Sequence, residues 1–319
     1  LLDALDEIGY VSPTPIQAQA IPYLIEGRDI IGCAQTGTGK TAAFALPILD
    51  AMAKDPWVGS RRIRALMLCP TRELATQIHD NIEQYARHLD IRSMAMFGGV
   101  SQRPQENILR RGVDILVATP GRLLDLISQG YVDLSYVQFL VLDEADRMLD
   151  MGFIRDIRKI LAQIPKNRQS LLFSATIPRS IVDLSRDMLY DPVSVSITPE
   201  SATVEAIEQS LMFVMRSDKR GLLTYIIEEK RPDKVLVFSR TKHGCNRIVR
   251  QLGQDGIEAL PIHGNKSQGA RENALRRFRN GTLQVLVATD VASRGIDVSD
   301  ISHVINLDLP NEPEVYVHR

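Results

Sequence analysis

The most constraining feature of the sequence is an alternation of short apolar runs, rich in β-branched residues, with longer stretches of helical spacing. In the first half, the apolar runs lie at 29–33, 65–69, 114–118, 139–142, 170–173 and 193–197. The pattern restarts in the second half, with runs at 234–238, 259–262, 284–288 and 303–307. Strands that alternate with helices predict parallel sheets covered on both faces. We therefore expect an α/β fold built from two parallel-sheet domains.

A polar segment at 198–208, which contains Pro199 and has no clear periodicity, separates the two repeats. It predicts a short linker between one domain at 1–197 and a second at 209–319. A length of 319 residues is sufficient for two ordinary domains. The chain starts at Leu1 and stops at Arg319 inside a continuing pattern. We therefore expect a piece of a longer protein, with the second domain incomplete at its C-terminal end.

Composition excludes several classes of protein. With 44% hydrophobic and 24% charged residues, the chain is neither disordered nor fibrous. No apolar run approaches the roughly 20 residues that span a bilayer. The three cysteines are too far apart to indicate a zinc site or a disulfide framework, which favours a reducing, cytoplasmic location. A net charge of −1 means that any nucleic acid must be bound by local basic patches.

The apolar run at 29–33 leads into a glycine-rich turn and then a helical pattern. The turn and its flanks consist of Ala34, Gln35, Thr36, Gly37, Thr38, Gly39, Lys40 and Thr41. Backbone N–H groups in such a turn converge on phosphate oxygens, and the helix N-terminus favours the negative charge. Lys40 is expected to contact the β and γ phosphates, and the Thr41 hydroxyl to bind Mg²⁺. Ala34 stands where the general pattern has glycine. The sequence nevertheless predicts a site for a nucleoside triphosphate.

A second acidic motif, Asp143-Glu-Ala-Asp146, follows the apolar run that ends at Leu142. A P-loop ATPase needs a carboxylate at the end of a neighbouring strand to hold the metal, and Asp143 is the candidate. Glu144 is the candidate general base, which would orient the attacking water and take its proton. Together with Lys40, these two residues form the predicted catalytic set.

With this motif, the chain resembles the DEAD-box ATP-dependent RNA helicases of superfamily 2. The rest of the family's motif set is present in order. It comprises Gly9–Gln17 (the Q motif), Pro70–Ala75, Gly98-Gly99, Thr119–Arg122, Ser174-Ala-Thr176, Val237–Thr241, His263-Gly264, Gln268 with Arg271, and Ala288–Asp297. The resemblance covers essentially the whole chain. Its compactness is most similar to the bacterial RhlE-type branch.

The resemblance implies two RecA-like domains that bind ATP, Mg²⁺ and single-stranded RNA. It adds Gln17, Gly295 and Asp297 to the nucleotide-binding residues, with Gln17 reading the adenine edge. The implied RNA-binding residues are Pro70, Thr71, Arg72, Gly98, Gly99, Thr119, Pro120, Gly121, Arg122, Arg240, Gly264, Gln268, Arg271 and Thr289. The implied coupling residues are Asp146, Ser174, Thr176, His318 and Arg319. Contacts to phosphates and sugars carry no base sequence, so the RNA binding is expected to be sequence-independent.

Two departures from the family pattern bear on activity. The aromatic residue that the family places upstream of the Q motif would lie before Leu1. The motif that starts at Tyr316-Val-His-Arg319 continues in the family with two arginine fingers, which are absent here. Such fingers contribute about 10³- to 10⁵-fold to the rate of phosphoryl transfer. We therefore expect the chain as given to bind ATP weakly and to hydrolyse it poorly.

The predicted function is local, ATP-dependent unwinding or remodelling of RNA duplexes. The main alternative is an ATP-gated RNA clamp without intrinsic unwinding, which shares every motif. A DNA-directed motor is disfavoured by the Q motif with Asp143-Glu-Ala-Asp146, and a metabolic P-loop kinase does not explain the second α/β repeat. Ribosomal or messenger ribonucleoprotein partners would bind through the missing tails, and a monomer is the default expectation.

Overall fold

The apolar runs of the sequence form the strands of two parallel sheets in a computed structural model of the chain. The structure describes residues 1–35, 37–197, 207–290, 298, 300–310, 315–316 and 319. The chain divides into two compact units, Leu1–Ala206 and Ile207–Arg319. Of the predicted linker at 198–208, only residues 207 and 208 are described. The predicted α/β class with two parallel sheets is confirmed.

The described part of the first unit contains nine helices and seven strands. The helices are α1 (Leu2–Glu7), α2 (Pro15–Ile25), α3 (Lys40–Lys54), α4 (Arg72–Tyr85), α5 (Arg103–Arg111), α6 (Pro120–Ser128), α7 (Ala145–Asp150), α8 (Ile154–Leu161) and α9 (Arg179–Met188). The strands are β1 (Ile30–Cys33), β2 (Ala65–Leu68), β3 (Ser93–Met96), β4 (Ile115–Ala118), β5 (Phe139–Leu142), β6 (Gln169–Ser174) and β7 (Val193–Ser196). All are paired in parallel, in the order β3-β4-β2-β5-β6-β1-β7.

Each face of this sheet has its own apolar core. One core joins alternate strand residues such as Met67 and Phe173 to Phe44 of α3 and to α2 and α4. The other joins Leu68 and Leu142 to α6, α7, α8 and α9. Strands buried on both faces must be apolar at every position, which is why the sequence shows continuous apolar runs rather than alternation.

The second unit has a smaller sheet. Its described elements are α10 (Lys219–Lys230), β8 (Val235–Phe238), α11 (Lys242–Gln254), β9 (Ala259–Ile262), α12 (Gln268–Arg279), β10 (Val285–Ala288) and β11 (His303–Asn306). The strands pair in parallel in the order β11-β8-β10-β9. Buried residues of α10 and α11 pack on one face of the sheet, and those of α12 pack on the other.

The sequence prediction missed one strand. Ser93–Met96 forms β3, paired in parallel with β4, although Ser-Met-Ala-Met contains no β-branched residue. Its alternating burial fits an edge strand with one face toward the core. The other predicted strands are present, with ends that differ from the prediction by up to one residue.

An aromatic cluster lies at the amino ends of β2 and β5. Trp57 and Tyr136 pack edge to face with ring centroids 5.6 Å apart, and the guanidinium groups of Arg62 and Arg64 lie over these rings. The indole N–H of Trp57 donates to the carbonyl of Ser60 at 3.0 Å. These contacts fix the loop that connects α3 to β2.

No described helix is long and apolar enough to cross a membrane. The three cysteines are free thiols; Cys69 and Cys245 are buried, and burial raises the pKa of Cys245 to about 12. Cys69 and Cys245 are therefore core residues, and Cys33 is half-buried. The predicted cytoplasmic location stays a prediction.

Candidate functional site

Apart from Gln17, which lies in α2, the predicted site residues of the first unit lie at or directly after the carboxyl ends of its parallel strands. Leu68 is in register with Ala118 and with Leu142, so the ends of β2, β4 and β5 lie level. Across β6, Ser174 is in register with Cys33 at the end of β1. Ligands of open parallel sheets bind at this edge. The strand order separates the predicted RNA residues, which follow β3, β4 and β2, from the glycine-rich loop, which follows β1.

The glycine-rich loop depends on left-handed backbone at two positions. Gly37 has φ of 80°, and Gly39, which precedes α3, has φ of 90°. Glycine adopts this region without steric cost. A Cβ atom on Gly39 would also lie 2.5 Å from Nε2 of Gln17, so the close approach itself requires glycine. The loop ends at the N-terminus of α3, a 15-residue helix. The free backbone N–H groups and the dipole of a helix N-terminus favour the binding of phosphate.

Lys40 is buried at the start of α3, with 6% of its surface exposed. Its Nζ donates to the carbonyl oxygen of Ala34 at 2.9 Å and lies 3.8 Å from Oδ1 of Asp143. Thr41 is half-buried in the first turn of α3. The hydroxyl of Thr38 donates to the carbonyl of Gln35 at 2.8 Å, closing the turn. The structure thus brings the lysine and the acidic motif together.

Gln17 connects the Q motif to this loop. Its Oε1 accepts from the backbone N–H of Thr14 at 2.9 Å, and its Nε2 donates to the carbonyl of Gly39 at 3.1 Å. The side chain is 5% exposed. Part of the amide is therefore engaged in holding the loop, and its predicted contact with adenine stays a prediction.

Asp143 and Glu144 lie directly after β5 and are buried, with 3% and 5% of their surfaces exposed. Burial raises the pKa of Asp143 to about 6; the positive charge of Lys40 opposes this shift, and the negative charge of Glu144 adds to it. Glu144 has a left-handed φ of 52°. Its Oε2 accepts from Nη1 of Arg147 at 2.5 Å.

Arg147 is a site residue that the sequence reasoning missed. It lies in the first turns of α7, three residues after Glu144, and its guanidinium is mostly buried beside that carboxylate. The spacing of three residues between opposite charges was the signal available in the sequence.

Asp146 joins the acidic motif to the predicted coupling residues at the end of β6. Its backbone N–H donates to the hydroxyl of Ser174 at 3.2 Å. Its Oδ2 accepts from both the backbone N–H and the hydroxyl of Thr176, each at 2.9 Å. The structure therefore places three of the five predicted coupling residues in one hydrogen-bonded group.

The three predicted RNA motifs of the first unit meet after β2, β3 and β4. Gly99 has φ of 74°, and the guanidinium of Arg72 occupies the space that a Cβ atom would need there. Arg122 donates from Nη2 to the carbonyl of Val100 at 3.2 Å. Arg72 therefore packs against the second glycine of the pair, and Arg122 contacts the residue that follows it.

Two threonines of these motifs precede helices. The hydroxyl of Thr71 accepts from the backbone N–H of Leu74 at 3.2 Å and so caps α4. Thr119 precedes α6 in the same way, but its side chain makes no capping bond. The remaining predicted residues in these turns are Pro70, Gly98, Pro120 and Gly121, and a Cβ atom at either glycine would meet open space.

In the second unit, the predicted RNA residues also follow strand ends. Arg240 follows β8, Gly264 follows β9 and Thr289 follows β10. The predicted pair Gln268 and Arg271 lies in the first turn of α12, with 8% of each surface exposed. The register of β10 with both β8 and β9 brings these strand ends level.

Arg319 forms a buried ion pair that the sequence reasoning did not foresee. Its guanidinium donates to both carboxylate oxygens of Asp290, at 2.6 and 2.9 Å, and to Oδ1 of Asn306 at 2.7 Å. It also lies over the ring of Phe238, 4.7 Å from the centroid. Four predicted site residues lie outside the part of the chain that the structure describes: Thr36, Gly295, Asp297 and His318.

Two family models match the chain and together cover both units. The DEAD/DEAH box helicase model matches residues 14–184, more than half of the chain. The chain belongs to the DEAD/DEAH box helicase family. The helicase conserved C-terminal domain model matches residues 218–319. The recognition made from the motifs is therefore confirmed.

Curated relatives of this DEAD/DEAH box chain come from plants and bacteria. DEAD-box ATP-dependent RNA helicase 30 of Arabidopsis thaliana is 45% identical over the whole chain, which spans 54% of that protein. CshA of Streptococcus pneumoniae is 43% identical, with 60% of its length spanned. RhlB of Shewanella denitrificans is 42% identical, with 75% of its length spanned. These relatives do not single out the RhlE-type branch, which stays a prediction.

Solved structures show the same fold. Yeast Dbp5 bound to Gle1 and IP6 superposes with a TM-score of 0.75 at 29% identity, covering all of this chain and 81% of that one. A hypothetical ATP-dependent RNA helicase from Sulfolobus tokodaii gives a TM-score of 0.57 at 35% identity, covering all of this chain and 90% of the other. Both units of this DEAD/DEAH box chain are therefore RecA-like, as the resemblance implied.

The donors present in this DEAD/DEAH box chain fit a magnesium ion. Among the described residues, no group of three or more His, Cys, Asp or Glu side chains is arranged to hold a metal. Mg²⁺ in phosphate sites retains several waters and takes only one or two protein oxygens, so the Asp143 carboxylate and the Thr41 hydroxyl suffice. The raised pKa of Asp143 reflects a buried carboxyl that lacks full compensation by cations.

Proposed function

We propose that the protein is an RNA-stimulated ATPase and ATP-dependent RNA helicase that acts locally on duplexes. One observation carries this proposal: the buried Lys40 lies 3.8 Å from Asp143 at the end of a glycine-rich loop. A loop, a lysine and a metal-binding carboxylate in this arrangement are the shared parts of P-loop nucleotide hydrolysis. The curated relatives are named as RNA helicases, which supports RNA as the substrate.

The proposed reaction is the hydrolysis of ATP to ADP and phosphate. Lys40 binds the β and γ phosphates, and the amides of the loop orient them. Glu144 orients a water and takes its proton as the oxygen attacks the γ phosphorus, while the bond from that phosphorus to the β–γ bridging oxygen breaks. Mg²⁺, held by Asp143 and Thr41, would neutralise charge that develops on the phosphate oxygens.

The carboxylate of Glu144 accepts a hydrogen bond from Arg147 at 2.5 Å. To bind the attacking water, the carboxylate must weaken or give up this hydrogen bond. Asp146 adjoins Glu144 through Ala145 and holds Thr176 through two hydrogen bonds. A change at the γ phosphate can therefore reach β6 through a short chain of covalent and hydrogen bonds. This path is our proposal for coupling between nucleotide and RNA.

RNA is proposed to bind along its backbone through the turns after β2, β3 and β4 and through the corresponding turns of the second unit. These turns offer hydroxyls, backbone amides and the guanidinium groups of Arg72 and Arg122, which recognise phosphates and sugars. Only eight Phe, eight Tyr and one Trp are present in 319 residues, which leaves little material for stacking bases. The proposal is therefore binding that does not depend on base sequence.

The deciding experiment measures steady-state ATP hydrolysis by the full-length natural protein, with and without single-stranded RNA. Single-stranded DNA of matched sequence tests selectivity for the 2′-hydroxyl, and Glu144→Gln tests the general base. We expect stimulation by RNA, little by DNA, and retained ATP binding with largely lost turnover in the variant. Equal stimulation by DNA would favour a DNA motor and contradict the proposal.

Unwinding needs a separate measurement, because an ATP-gated clamp would share every residue of the site. Strand release from a short RNA duplex, followed with ATP and with a non-hydrolysable analogue, distinguishes the two. We expect the natural protein to release strands repeatedly with ATP. The Glu144→Gln variant should not continue to release strands over repeated turnovers. RNA-stimulated hydrolysis without any release would assign the clamp.

A further inference from the structure

A cavity of about 580 Å³ lies in the second unit, between α10 and α11. It is bounded by the segment that precedes α10 and by the residues that follow β8 and β11. The buried side chains of Leu223, Ile248 and Leu252 form its apolar floor. Its volume is within the range of about 300–1,000 Å³ that is typical of ligand-binding pockets.

The lining of this cavity is strongly cationic. Its charged members are Arg216, Lys219, Arg220, Arg240 and Arg247, with Asp308 as the one carboxylate. Two of the cations are already compensated. Lys219 lies 3.5 Å from Asp308 and donates to the carbonyl of Leu307 at 2.6 Å, and Arg220 pairs with Asp255.

The other three cations, Arg216, Arg240 and Arg247, are exposed. Among the described residues, no carboxylate lies within 4.0 Å of the guanidinium group of any of the three. The guanidinium of Arg240 donates to the carbonyl of Leu309 at 3.4 Å, and the backbone N–H of the same residue donates to Oδ2 of Asp308 at 3.1 Å. A guanidinium stays charged at every physiological pH, and its planar set of donors matches a phosphate group. The part of the cavity lined by these three arginines is therefore suited to bind an anion.

The cavity adjoins the proposed RNA edge of the second unit. Arg240 and Thr241 line the cavity and directly follow β8, and the end of β8 is level with the end of β10, before Thr289. We propose that the cavity is a further phosphate site for RNA, in which Arg216 and Arg247 bind backbone phosphates beyond those held by the family motifs. This inference rests on the proposed function.

RNA is favoured over an acidic protein segment because of this continuity. An RNA strand that contacts Arg240 and Thr289 holds its neighbouring phosphates close to the cavity, which raises the effective concentration of phosphate there. A separate acidic segment would need to be recruited from solution. The overall charge of −1 also means that affinity for RNA depends on local groups such as these.

The test compares Arg247→Ala with Arg250→Ala. Both residues are exposed on α11 and both changes remove one positive charge, but only Arg247 lies on the helix face, with Gly244, Ile248 and Gln251, that lines the cavity. Affinity for radiolabelled single-stranded RNA is measured with a non-hydrolysable ATP analogue over a range of salt concentrations. Thermal unfolding of each variant checks that it is folded.

We expect Arg247→Ala to weaken RNA binding by about 3- to 10-fold at moderate salt and to reduce the slope of log affinity against log salt by about 0.7. Arg250→Ala should change affinity by less than about twofold. Arg216→Ala should resemble Arg247→Ala, and Arg247→Lys should recover most of the slope because it restores the charge.

Equal effects of Arg247→Ala and Arg250→Ala would overturn the phosphate site while leaving the proposed function intact. Absence of RNA binding by the natural chain would overturn both. A deca-glutamate peptide provides the third arm. Loss of peptide binding in Arg247→Ala with unchanged RNA binding would assign the cavity to an acidic protein segment and contradict the inference.

Discussion

Among the residues that the structure describes, Lys40 contacts the carbonyl of Ala34 and the carboxylate of Asp143. A phosphate that binds in the loop must replace at least part of these contacts. The free energy that Lys40 contributes to binding is therefore the difference between its contacts with the phosphate and its contacts with Ala34 and Asp143. It is not the free energy of moving a free ammonium group out of water. The departure at Ala34 fits this picture, because it is the carbonyl of Ala34, not its side chain, that contacts Lys40.

Lys40→Ala should weaken ATP binding by about 10- to 100-fold, since a hydrogen bond to a charged group contributes about 1.5–3 kcal/mol. Isothermal titration calorimetry with Mg²⁺-ATP measures this. Lys54→Ala is the matched control, because Lys54 is an exposed lysine at the end of the same helix and forms an ion pair with Asp50, away from the loop. Equal affinities for the natural chain and Lys40→Ala would contradict the P-loop assignment.

Asp143→Asn should become more stable, relative to the natural chain, as the pH rises. The pKa of Asp143 is raised from 3.8 to about 6, so the folded state binds its proton more tightly than the unfolded chain does. The penalty for the charged form therefore grows as the pH passes through about 4 to 6, and reaches about 3 kcal/mol above pH 7. Between pH 5 and pH 8 we expect a relative gain of about 1 kcal/mol.

Urea unfolding without nucleotide or Mg²⁺ measures this difference, with the exposed Asp80→Asn as a control for the loss of one carboxylate. A stability difference that does not vary with pH would show that Asp143 is not the buried, proton-binding group described above. Asp143→Asn should also lose the stabilisation that Mg²⁺-ATP gives to the natural chain.

The helices of the site begin shortly after strands end, yet the residues that directly precede α4 and α6 are not equivalent. Thr71 caps α4 through its hydroxyl, whereas Thr119 precedes α6 without such a bond. Both are buried, and both are proposed to offer their hydroxyls to RNA. The two positions therefore separate stability from binding.

Thr71→Ala should destabilise the first unit by about 1 kcal/mol, because it removes an N-cap bond. Thr119→Ala should cost less than half as much, and both variants should weaken RNA binding. Urea unfolding and RNA titration of the same samples give the two quantities. An equal loss of stability in Thr119→Ala would show that the capping difference has no energetic effect.

Elements with strong local signals could be predicted, and those set by tertiary contacts could not. Continuous apolar runs such as 139–142 identify buried strands, and Thr71 with Leu74 and Ile78 identifies the start of α4. β3 lacks such a signal because its Ser-Met-Ala-Met sequence becomes a strand by pairing with β4. Local propensity gave no indication of that pairing.

The same division applies to the site. The loop, the acidic motif and the residues at strand ends could be predicted because their chemistry lies in contiguous sequence. The partners of these residues could not. The contacts of Asp290 with Arg319 and of the Gly39 carbonyl with Gln17 depend on packing geometry that no spacing in the sequence specifies. For Arg147 and Glu144, the spacing of three residues was the one local signal.

At the scale of the whole molecule, each unit has its own sheet and its own pair of apolar cores. Lys40 and Asp143 belong to the first unit, and the cationic cavity belongs to the second. Ligands should therefore stabilise the units unequally, since a ligand stabilises the part of the chain to which it binds.

A non-hydrolysable ATP analogue alone should slow amide hydrogen exchange in the first unit, chiefly around Lys40 at the start of α3. Addition of single-stranded RNA should extend the protection to the turns after β8, β9 and β10. Exchange followed by mass spectrometry resolves the units, and Lys40→Ala should abolish the first effect. Protection of the second unit by RNA alone, equal to that with the analogue, would contradict coupling between nucleotide and RNA.

The single tryptophan of the chain has a consequence for spectroscopy. Trp57 is 38% exposed and lies at the amino ends of the strands of the first sheet, whereas every proposed ligand contact of that unit lies at their carboxyl ends. Its intrinsic fluorescence should therefore report the unfolding of the first unit alone. Emission should stay unchanged when nucleotide or RNA binds, and circular dichroism will be needed to detect the unfolding of the second unit.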